Sequence, residues 1–263
     1  MNNPQALPTL IRLSMTNDNV NNSFFNGHYK DIWRSLIPTA LTEKETEFMI
    51  QYFKLGPGTK VLDLMCGYGR HTLALARQGI EVTAVDNLED YINEISSVVK
   101  QEKLSAKAIK TDVIQFHSDE SFDLAICMGN SLNFFNEADI LTLLSSVFSM
   151  LNKGGQLLIN TWSLTEIVIK QFIEKSWSTI NGLKYLSDSA YLFHPTRIET
   201  ETTIISPEGD REVKQAIDYI FSVAEMEKLL TASGFILKEI YSIPGRKKFQ
   251  IGEPRAYIVA VKK

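Results

Sequence analysis

The hydrophobic pattern from residue 56 to residue 163 alternates between short apolar runs and longer amphipathic segments. Short apolar runs are typical of buried strands, and apolar residues spaced three or four positions apart are typical of helices. The predicted strands are 60–64, 81–85, 106–111, 122–128 and 156–161, and the predicted helices are 70–78, 88–101 and 138–151. Strands separated by helices form βαβ units with right-handed crossovers, which align the strands in parallel. The pattern therefore predicts a doubly wound α/β core.

A second pattern begins after residue 163. Short runs between about 177 and 220 are separated by turn signals at Asn181-Gly182, His194-Pro195 and Pro207–Asp210. Turns at such short intervals indicate antiparallel strands. The first pattern then returns with a helix over 223–231 and strands over 235–241 and 256–261. We expect a mostly parallel seven-stranded sheet that carries an inserted antiparallel β segment.

The N-terminal part differs from both patterns. Residues 1–23 are rich in asparagine and predict a poorly ordered lead-in. Thr42 and Glu45 have the spacing of a capping box, and apolar residues follow at helical spacing. This arrangement predicts a helix over 42–54 that ends at the turn of residues 56–58.

Charge and composition limit the classes of function. The chain has 263 residues, with 27 Lys and Arg against 31 Asp and Glu, and a formal net charge of −4. This balance gives no uniform attraction to phosphate backbones or anionic lipid, so we expect neither a nucleic-acid nor a membrane partner. The first twenty residues lack the apolar region of a signal peptide, and no long apolar stretch occurs, which predicts a soluble, cytoplasmic protein. Two cysteines and four dispersed histidines predict reduced thiols and no metal site.

The strongest chemical signal is the segment 61–70, VLDLMCGYGR, in which a strand ends in Asp63 and a Gly-x-Gly turn leads into a helix. Glycines at Gly67 and Gly69 let the backbone bend sharply and let a ligand approach main-chain N–H groups. Asp86 and Asp112 end the next two strands. Three acids at the carboxyl ends of neighbouring strands predict a ligand site along one edge of the sheet. Each acid alone also fits a helix cap or a solvated turn, which is the favoured interpretation for Asp112.

These motifs resemble those of the class I S-adenosylmethionine-dependent methyltransferases. The resemblance rests on VLDLMCGYGRH, VTAVDNL, KTDV, FDLAICMGNSLNFF and LNKGGQLLINTW. It covers residues 56–163 well and the C-terminal part more loosely. It implies a Rossmann-like fold, S-adenosylmethionine as cofactor, and a helical N-terminal lid.

The resemblance also implies a set of cofactor-binding residues. In the family, the loop after the first strand surrounds the methionine part, the second acid binds the ribose, and the third acid holds the adenine. The residues implied here are Tyr29, Trp33, Asp63, Met65, Cys66, Gly67, Gly69, Arg70, Asp86, Asn87, Leu88, Asp112, Val113, Met128, Gly129 and Asn130. Met65 departs from the family pattern because many members have glycine there, and we expect it to narrow the pocket.

The methyl acceptor is less well specified. Gly129-Asn130-Ser131 resembles the corresponding segment of glycine and sarcosine N-methyltransferases and lacks the tetrapeptide of amino-methylating DNA enzymes. An equally strong alternative is that Asn130 only caps a turn. The candidate substrate-binding residues are Asn130, Ser131, His194, Arg197 and Arg246. His194 is a weak catalytic candidate, because a lone histidine is more often an ordinary turn residue.

The function that follows is direct in-line methyl transfer to nitrogen or oxygen of a small molecule, by a monomer or homodimer. Two alternatives are an NAD(P)-dependent oxidoreductase and a non-catalytic S-adenosylmethionine-binding module. The oxidoreductase fingerprint needs a third glycine where this chain has Thr72. The expected organisation is a lid over 1–55, a cofactor-binding core over 56–163, a β insertion for substrate recognition over 164–220, and the rest of the core over 221–263.

Overall fold

A computed structural model describes residues 19–263, so most of the lead-in predicted over 1–23 lies outside the described residues. The helices are α1 (His28–Leu36), α2 (Thr39–Phe53), α3 (Arg70–Ala76), α4 (Glu89–Glu102), α5 (Glu137–Met150), α6 (Thr165–Gln171) and α7 (Val223–Ala232). The core strands are β1 (Lys60–Leu64), β2 (Glu81–Asp86), β3 (Ala106–Lys110), β4 (Phe122–Cys127), β5 (Leu151–Thr161), β10 (Phe235–Ile243), β11 (Lys247–Lys248) and β12 (Ala256–Lys262). The strands of the insertion are β6 (Lys175–Ile180), β7 (Leu183–Phe193), β8 (Thr196–Ile205) and β9 (Arg211–Tyr219).

The core strands form one sheet in the order β11-β10-β12-β5-β4-β1-β2-β3. The pairs among β1 to β5 are parallel, whereas β12, β10 and β11 join the sheet antiparallel. The Rossmann-like, mostly parallel fold is therefore confirmed. The described sheet has eight strands rather than the predicted seven, because the short strand at Lys247–Lys248 pairs with the edge of β10.

The core lies on both faces of this sheet. Along β1, Leu62 and Leu64 enter one buried cluster with α5 and α7, and Val61 enters a second cluster with α2 and α3. Successive side chains of a strand point to opposite faces, so a strand covered on both sides reads as a continuous apolar run. This is why short apolar runs located the parallel strands correctly.

The insertion forms a separate sheet in the order β6-β7-β8-β9, antiparallel throughout. Its first turn is Asn181-Gly182, where both residues have positive φ (51° and 80°). A two-residue turn of this kind matches the twist of the flanking strands. The antiparallel interpretation of this region is confirmed.

Two local predictions were wrong or incomplete. Helix α2 begins at Thr39, and the predicted capping box does not form, because Glu45 is 1% exposed and binds side chains of α3 and β12 instead. Helix α6 was not predicted. It is a seven-residue element, too short for a clear helical period.

The antiparallel sheet is joined to the core through the N-terminal segment, defined here as residues 19–36. Phe24, Tyr29 and Ile32 of this segment pack in one buried cluster with Ile204 and Ala216 of β8 and β9. The segment therefore lies between the insertion and the core, above the carboxyl ends of the parallel strands. No helix among residues 19–263 is both long enough and apolar enough to cross a membrane.

The junction of α7 and β10 gives a test of the packing. Gly234 has a φ of +91°, and a Cβ there would lie 2.6 Å from the ring of Phe148. We expect Gly234→Ala to lower the free energy of unfolding by about 3 kcal/mol, since it adds overpacking to backbone strain. The control is Gly154→Ala, which has a φ of +74° with no atom within 4 Å of the added Cβ. Its expected cost is about 1 kcal/mol. Equal losses in urea unfolding would contradict the packing argument.

Candidate cofactor site

A cavity lies at the carboxyl ends of β1, β2 and β4 and is covered by the N-terminal segment. Its lining comes from three loops of the core and from the cover, and consists of Asn19, Asn21, Asn22, Phe25, Trp33, Asp63, Met65, Cys66, Gly67, Tyr68, Arg70, His71, Asp86, Asn87, Leu88, Tyr91, Met128, Gly129, Ser131, Phe134 and Phe135. The edge at the carboxyl ends of the strands is where open α/β sheets bind their ligands. The first two predicted acids, Asp63 and Asp86, therefore lie in one cavity with the glycine turn.

The glycine turn has backbone angles that few residues adopt. Gly67 and Gly69 have φ values of 55° and 76°, and a Cβ at Gly69 would lie 2.6 Å from Ile95 of α4. Glycine is thus required at Gly69 for close packing, whereas a Cβ at Gly67 would meet no atom within 4 Å. Met65 also has a positive φ, 53°, and its side chain lines the cavity. A non-glycine residue in this conformation is strained.

Asp86 holds the turn from the end of β2. Its Oδ2 accepts a hydrogen bond from the Gly67 N–H (2.8 Å), and its Oδ1 accepts one from the Leu88 N–H (2.9 Å). Burial raises the pKa of this carboxyl, while the two backbone hydrogen bonds oppose that effect. A carboxylate has about four acceptor positions, so each oxygen can still accept a hydrogen bond from a ligand hydroxyl.

Asp63, at the end of β1, is 2% exposed and accepts a hydrogen bond of 2.6 Å from the Thr72 hydroxyl. Burial raises the pKa of Asp63, and the charge of His71 with the Thr72 hydrogen bond opposes it. This side chain connects β1 to α3. Thr72 stands where the dinucleotide-binding pattern has its third glycine, and here its hydroxyl donates to Asp63.

A buried carboxylate behind the cavity positions two of its lining residues. Glu45 accepts hydrogen bonds from Arg70 Nη1 (2.5 Å) and the Tyr257 hydroxyl (2.6 Å), and lies 2.9 Å from His71 Nε2. Burial raises the pKa of Glu45, but His71, Arg70 and Tyr257 outweigh burial and hold it at about 2. The guanidinium of Arg70 is thereby fixed at the cavity wall.

The part of the N-terminal segment that covers the cavity, called the cover below, is fixed by asparagine side chains and aromatic rings. Asn21 donates to the carbonyls of Phe134 (3.2 Å) and Ile217 (2.9 Å) and accepts from the Ile217 N–H (2.9 Å). The Phe25 ring lies 5.7 Å from that of Trp33, centroid to centroid. These contacts place the cover between β9 and the loop after β4.

Several of the residues proposed from the sequence lie outside the cavity lining. Asp112 is exposed and accepts from the Ile114 N–H (2.9 Å), while Val113 is buried in the core. Gly69 packs on α4 rather than on the cavity, and Tyr29 packs against Tyr185, with ring centroids 6.1 Å apart. The structure thus places Asp112 in a local turn, the alternative favoured for that acid.

Asn130 and three substrate-binding candidates also lie elsewhere. Asn130 is 1% exposed, beneath the cavity, and bonds to Ser163 and Asp218. His194 is exposed at the β7–β8 turn. Arg197 pairs with Glu199 at 2.8 Å, and Arg246 is exposed in the turn between β10 and β11. Of the acceptor candidates, only Ser131 lines the cavity.

Sequence reasoning missed part of the lining. The missed residues are Asn19, Asn21, Asn22, Phe25, Tyr68, His71, Tyr91, Phe134 and Phe135. Asn19, Asn21 and Asn22 belong to the region 1–23 that was predicted to be poorly ordered, and the repeated asparagines were the available signal. Glu45 was assigned to a helix cap, because spacing cannot reveal that its partners lie on other elements.

Comparison with known proteins gives the family. A model described as a methyltransferase domain matches residues 61–155. A glycine/sarcosine N-methyltransferase from Aphanothece halophytica is 28% identical over 163 residues, 60% of this chain and 61% of that protein. A second one, from Halorhodospira halochloris, is 27% identical over 159 residues, 59% of this chain and 58% of that protein. The chain thus spans about three fifths of the length of these two relatives.

A solved S-adenosylmethionine-dependent methyltransferase from Clostridium acetobutylicum has the same fold, with a TM-score of 0.77 at 17% identity, covering 89% of this chain and 96% of that chain. The matched domain, the two relatives and the shared fold together support a class I S-adenosylmethionine-dependent methyltransferase. The expected family is confirmed.

The residues of the cavity fit the family's cofactor, S-adenosylmethionine. Asp86 offers acceptors, which suit the donor hydroxyls of a ribose. The open space at Gly67 lets a ligand approach the backbone closely. Arg70 uses only Nη1 in hydrogen bonds with the described side chains, so its other nitrogens can bind a carboxylate.

The group formed by Glu45 with Arg70, His71 and Tyr257 predicts an acid-sensitive contribution to stability. The folded pKa of about 2 lies below the ordinary value of 4.5, so the contribution is full above pH 4.5 and is lost as pH falls towards 2. We expect Glu45→Gln to lower the free energy of unfolding at pH 7 by about 3 kcal/mol and to weaken its dependence on acid. Urea unfolding across this range measures both effects. Glu47→Gln, on the exposed side of α2, is the control, and an identical acid dependence in Glu45→Gln would contradict the assignment.

Asn21 gives a test of the cover. Asn21→Ala removes its side-chain hydrogen bonds to Phe134 and Ile217. We expect faster amide hydrogen exchange over residues 19–25 and a loss of about 2 kcal/mol in stability. Asn152→Ala, which removes one exposed hydrogen bond to Asp123, is the control. Unchanged exchange in the Asn21 variant would mean that the aromatic contacts alone hold the cover.

Proposed function

We propose that the protein transfers a methyl group from S-adenosylmethionine to nitrogen or oxygen of a small-molecule acceptor. The observation that carries the proposal is the 2.8 Å hydrogen bond from the Gly67 N–H to Asp86. It brings the glycine turn after β1 and the acid after β2 together at one wall of the cavity. One ligand can then donate its ribose hydroxyls to Asp86 and approach the backbone closely at Gly67.

In this proposal each wall of the cavity has a role. Asp86 accepts hydrogen bonds from the ribose hydroxyls, Arg70 binds the carboxylate of the methionine part, and Leu88 and Tyr91 supply apolar and aromatic surface for the base. When bound, the cofactor supplies an electrophilic methyl group on a sulfonium. The protein's own contribution is to orient the acceptor and exclude water, which can provide most of the rate acceleration.

The covered cavity favours a small acceptor. Trp33 and Phe25 lie over it, and the antiparallel sheet packs behind them. A macromolecular acceptor would need an open face at this position. The glycine/sarcosine N-methyltransferases named above act on small molecules, which supports the same class of acceptor here.

Two other functions remain as alternatives with distinct expectations. An NAD(P)-dependent oxidoreductase is disfavoured by Asp63 in the cavity wall, because its acceptor oxygens would face a pyrophosphate. It is also disfavoured by Thr72, which bonds to Asp63 where the dinucleotide pattern has glycine. A non-catalytic module would bind the cofactor without transferring the methyl group.

Asp86→Ala tests the proposal. We expect at least a ~100-fold loss of affinity for S-adenosylhomocysteine in calorimetry, since two ribose hydrogen bonds to a charged group disappear. Asp112→Ala removes the acid at the corresponding end of β3 and is expected to change affinity less than about twofold, since its turn lies outside the lining. Circular dichroism checks that both variants fold.

Three results would overturn parts of the proposal. Retained affinity in Asp86→Ala would refute the ribose assignment. Binding of NADH in place of S-adenosylhomocysteine by the unmodified protein would favour the oxidoreductase. Cofactor binding with no methyl transfer to a small-molecule extract would favour the non-catalytic module.

A further inference from the structure

Asp218 is a partly buried acid that has no part in the cofactor site described above. It is the penultimate residue of β9, and its Oδ1 accepts hydrogen bonds from Asn130 Nδ2 (2.8 Å) and Ser163 Oγ (3.4 Å). Asn130 follows β4 and Ser163 follows β5. Asp218 therefore comes from the insertion but is bonded to the carboxyl edge of the core sheet.

The charge of Asp218 has no cationic partner among residues 19–263. The nearest lysine on its face of β9, Lys214, pairs with Glu212 at 2.9 Å, and Arg197 on the neighbouring strand pairs with Glu199 at 2.8 Å. A carboxylate removed from water without a cation is costly. Such an arrangement is tolerated where a ligand supplies the missing charge.

Only one oxygen of Asp218 is satisfied. Oδ2 accepts no hydrogen bond from the described residues, and it is not fully buried. It therefore keeps accessible surface. The free oxygen of Asp218 can therefore still accept a hydrogen bond from a ligand.

The surroundings of Asp218 suit a cation. Tyr29 lies close enough to Asp218 for the charge of the acid to raise the pKa of the Tyr29 hydroxyl, and the Tyr29 ring lies 6.1 Å from that of Tyr185. Next to its partner Asn130 lies Gly129, where a Cβ would be 3.4 Å from Trp33, and Trp33 lies 6.0 Å from the Trp162 ring. A carboxylate without a cationic partner recognises an ammonium group by charge and by a charge-assisted hydrogen bond. A neutral hydroxyl gains much less from such a site.

We propose that Asp218 binds the ammonium group of an amine acceptor and takes its proton before methyl transfer. The inference rests on the proposed methyltransferase function and narrows its acceptor from nitrogen or oxygen to an amine. Asp218 is connected to the cofactor cavity through Asn130, which donates to it and follows Gly129, a residue of the cavity lining.

The proposed step balances in protons and electrons. The ammonium gives one proton to Oδ2 of Asp218, leaving a neutral amine with a lone pair. Attack of that lone pair on the methyl carbon forms the C–N bond and breaks the C–S bond, whose electrons stay on sulfur. The products are S-adenosylhomocysteine and a methylated ammonium, and the proton on Asp218 passes to solvent.

The titration of Asp218 gives the step a pH signature. Burial raises its pKa to about 7, while the hydrogen bonds from Ser163 and Asn130 oppose burial. The titratable group that senses its charge is Tyr29, whose pKa is raised well above 10 chiefly by burial. Asp218 binds and deprotonates an ammonium only as a carboxylate, so the methylation rate should rise as pH increases through about 7.

The first experiment identifies the acceptor class. Labelled S-adenosylmethionine is incubated with the full chain and a small-molecule extract, half of which has been treated with N-hydroxysuccinimidyl acetate to acetylate amines. We expect labelled product only in the untreated half. Equal product in both halves would overturn the amine acceptor and leave the proposed function intact. No product in either half, or no binding of S-adenosylhomocysteine, would overturn the proposed function itself.

The second experiment tests Asp218 with the labelled amine found in the first. Asp218→Asn should lower kcat/KM at pH 8 by at least ~100-fold and lose the rise through pH 7, because proton transfer is removed. Its affinity for S-adenosylhomocysteine and its melting temperature at pH 8 should not fall, since the amide keeps the contacts with Asn130 and Ser163. The control is Asp210→Asn, in the exposed β8–β9 turn, which should behave like the unmodified protein. Unchanged kcat/KM and pH profile in Asp218→Asn would overturn the role of Asp218.

Discussion

The side chain of Asn130 joins the two sheets at the point on which the cavity depends. Its Oδ1 accepts from the Thr161 hydroxyl (3.0 Å) and from the N–H groups of Trp162 (2.9 Å) and Ser163 (3.0 Å), and its Nδ2 donates to Ser163 and Asp218. One buried amide thus satisfies the backbone where β5 ends and fixes β9 beside it. Removing such a group would leave several buried polar atoms unpaired at once.

The carboxylates near the cavity differ in how their charge is compensated. Glu45 is surrounded by donors from Arg70, His71 and Tyr257 and stays ionised to about pH 2. Asp86 is stabilised by backbone N–H groups, and Asp218 by one amide and one hydroxyl without a cation. The same chemical group therefore positions neighbouring side chains at Glu45, whereas the roles proposed for Asp86 and Asp218 are to accept hydrogen bonds from a ligand and to bind a charge that the ligand brings. Environment rather than residue type makes the difference.

Much of the fold and part of the site could be read from local pattern. The parallel strands were found because they are covered on both faces, and Asp86 was found because it follows a strand directly. Glu45 and Asp218 could not be found in this way, since their partners are far away in the chain: Tyr257 is bound by Glu45, and Asn130 by Asp218. Nothing in the spacing around either acid indicates that its partners lie on distant elements.

The sequence by itself determined the α/β order, the antiparallel insertion, the glycine turn and the acid that ends β2, because each depends on neighbours within a few residues. Only the tertiary structure decided which acids share a cavity, that Asp112 remains in a solvated turn, and that residues 19–25 cover the site. These features depend on hydrogen bonds and burial between distant segments, such as the contact of Asn21 with Ile217. Local propensity contains no information on such pairings, because they form only when the sheets pack.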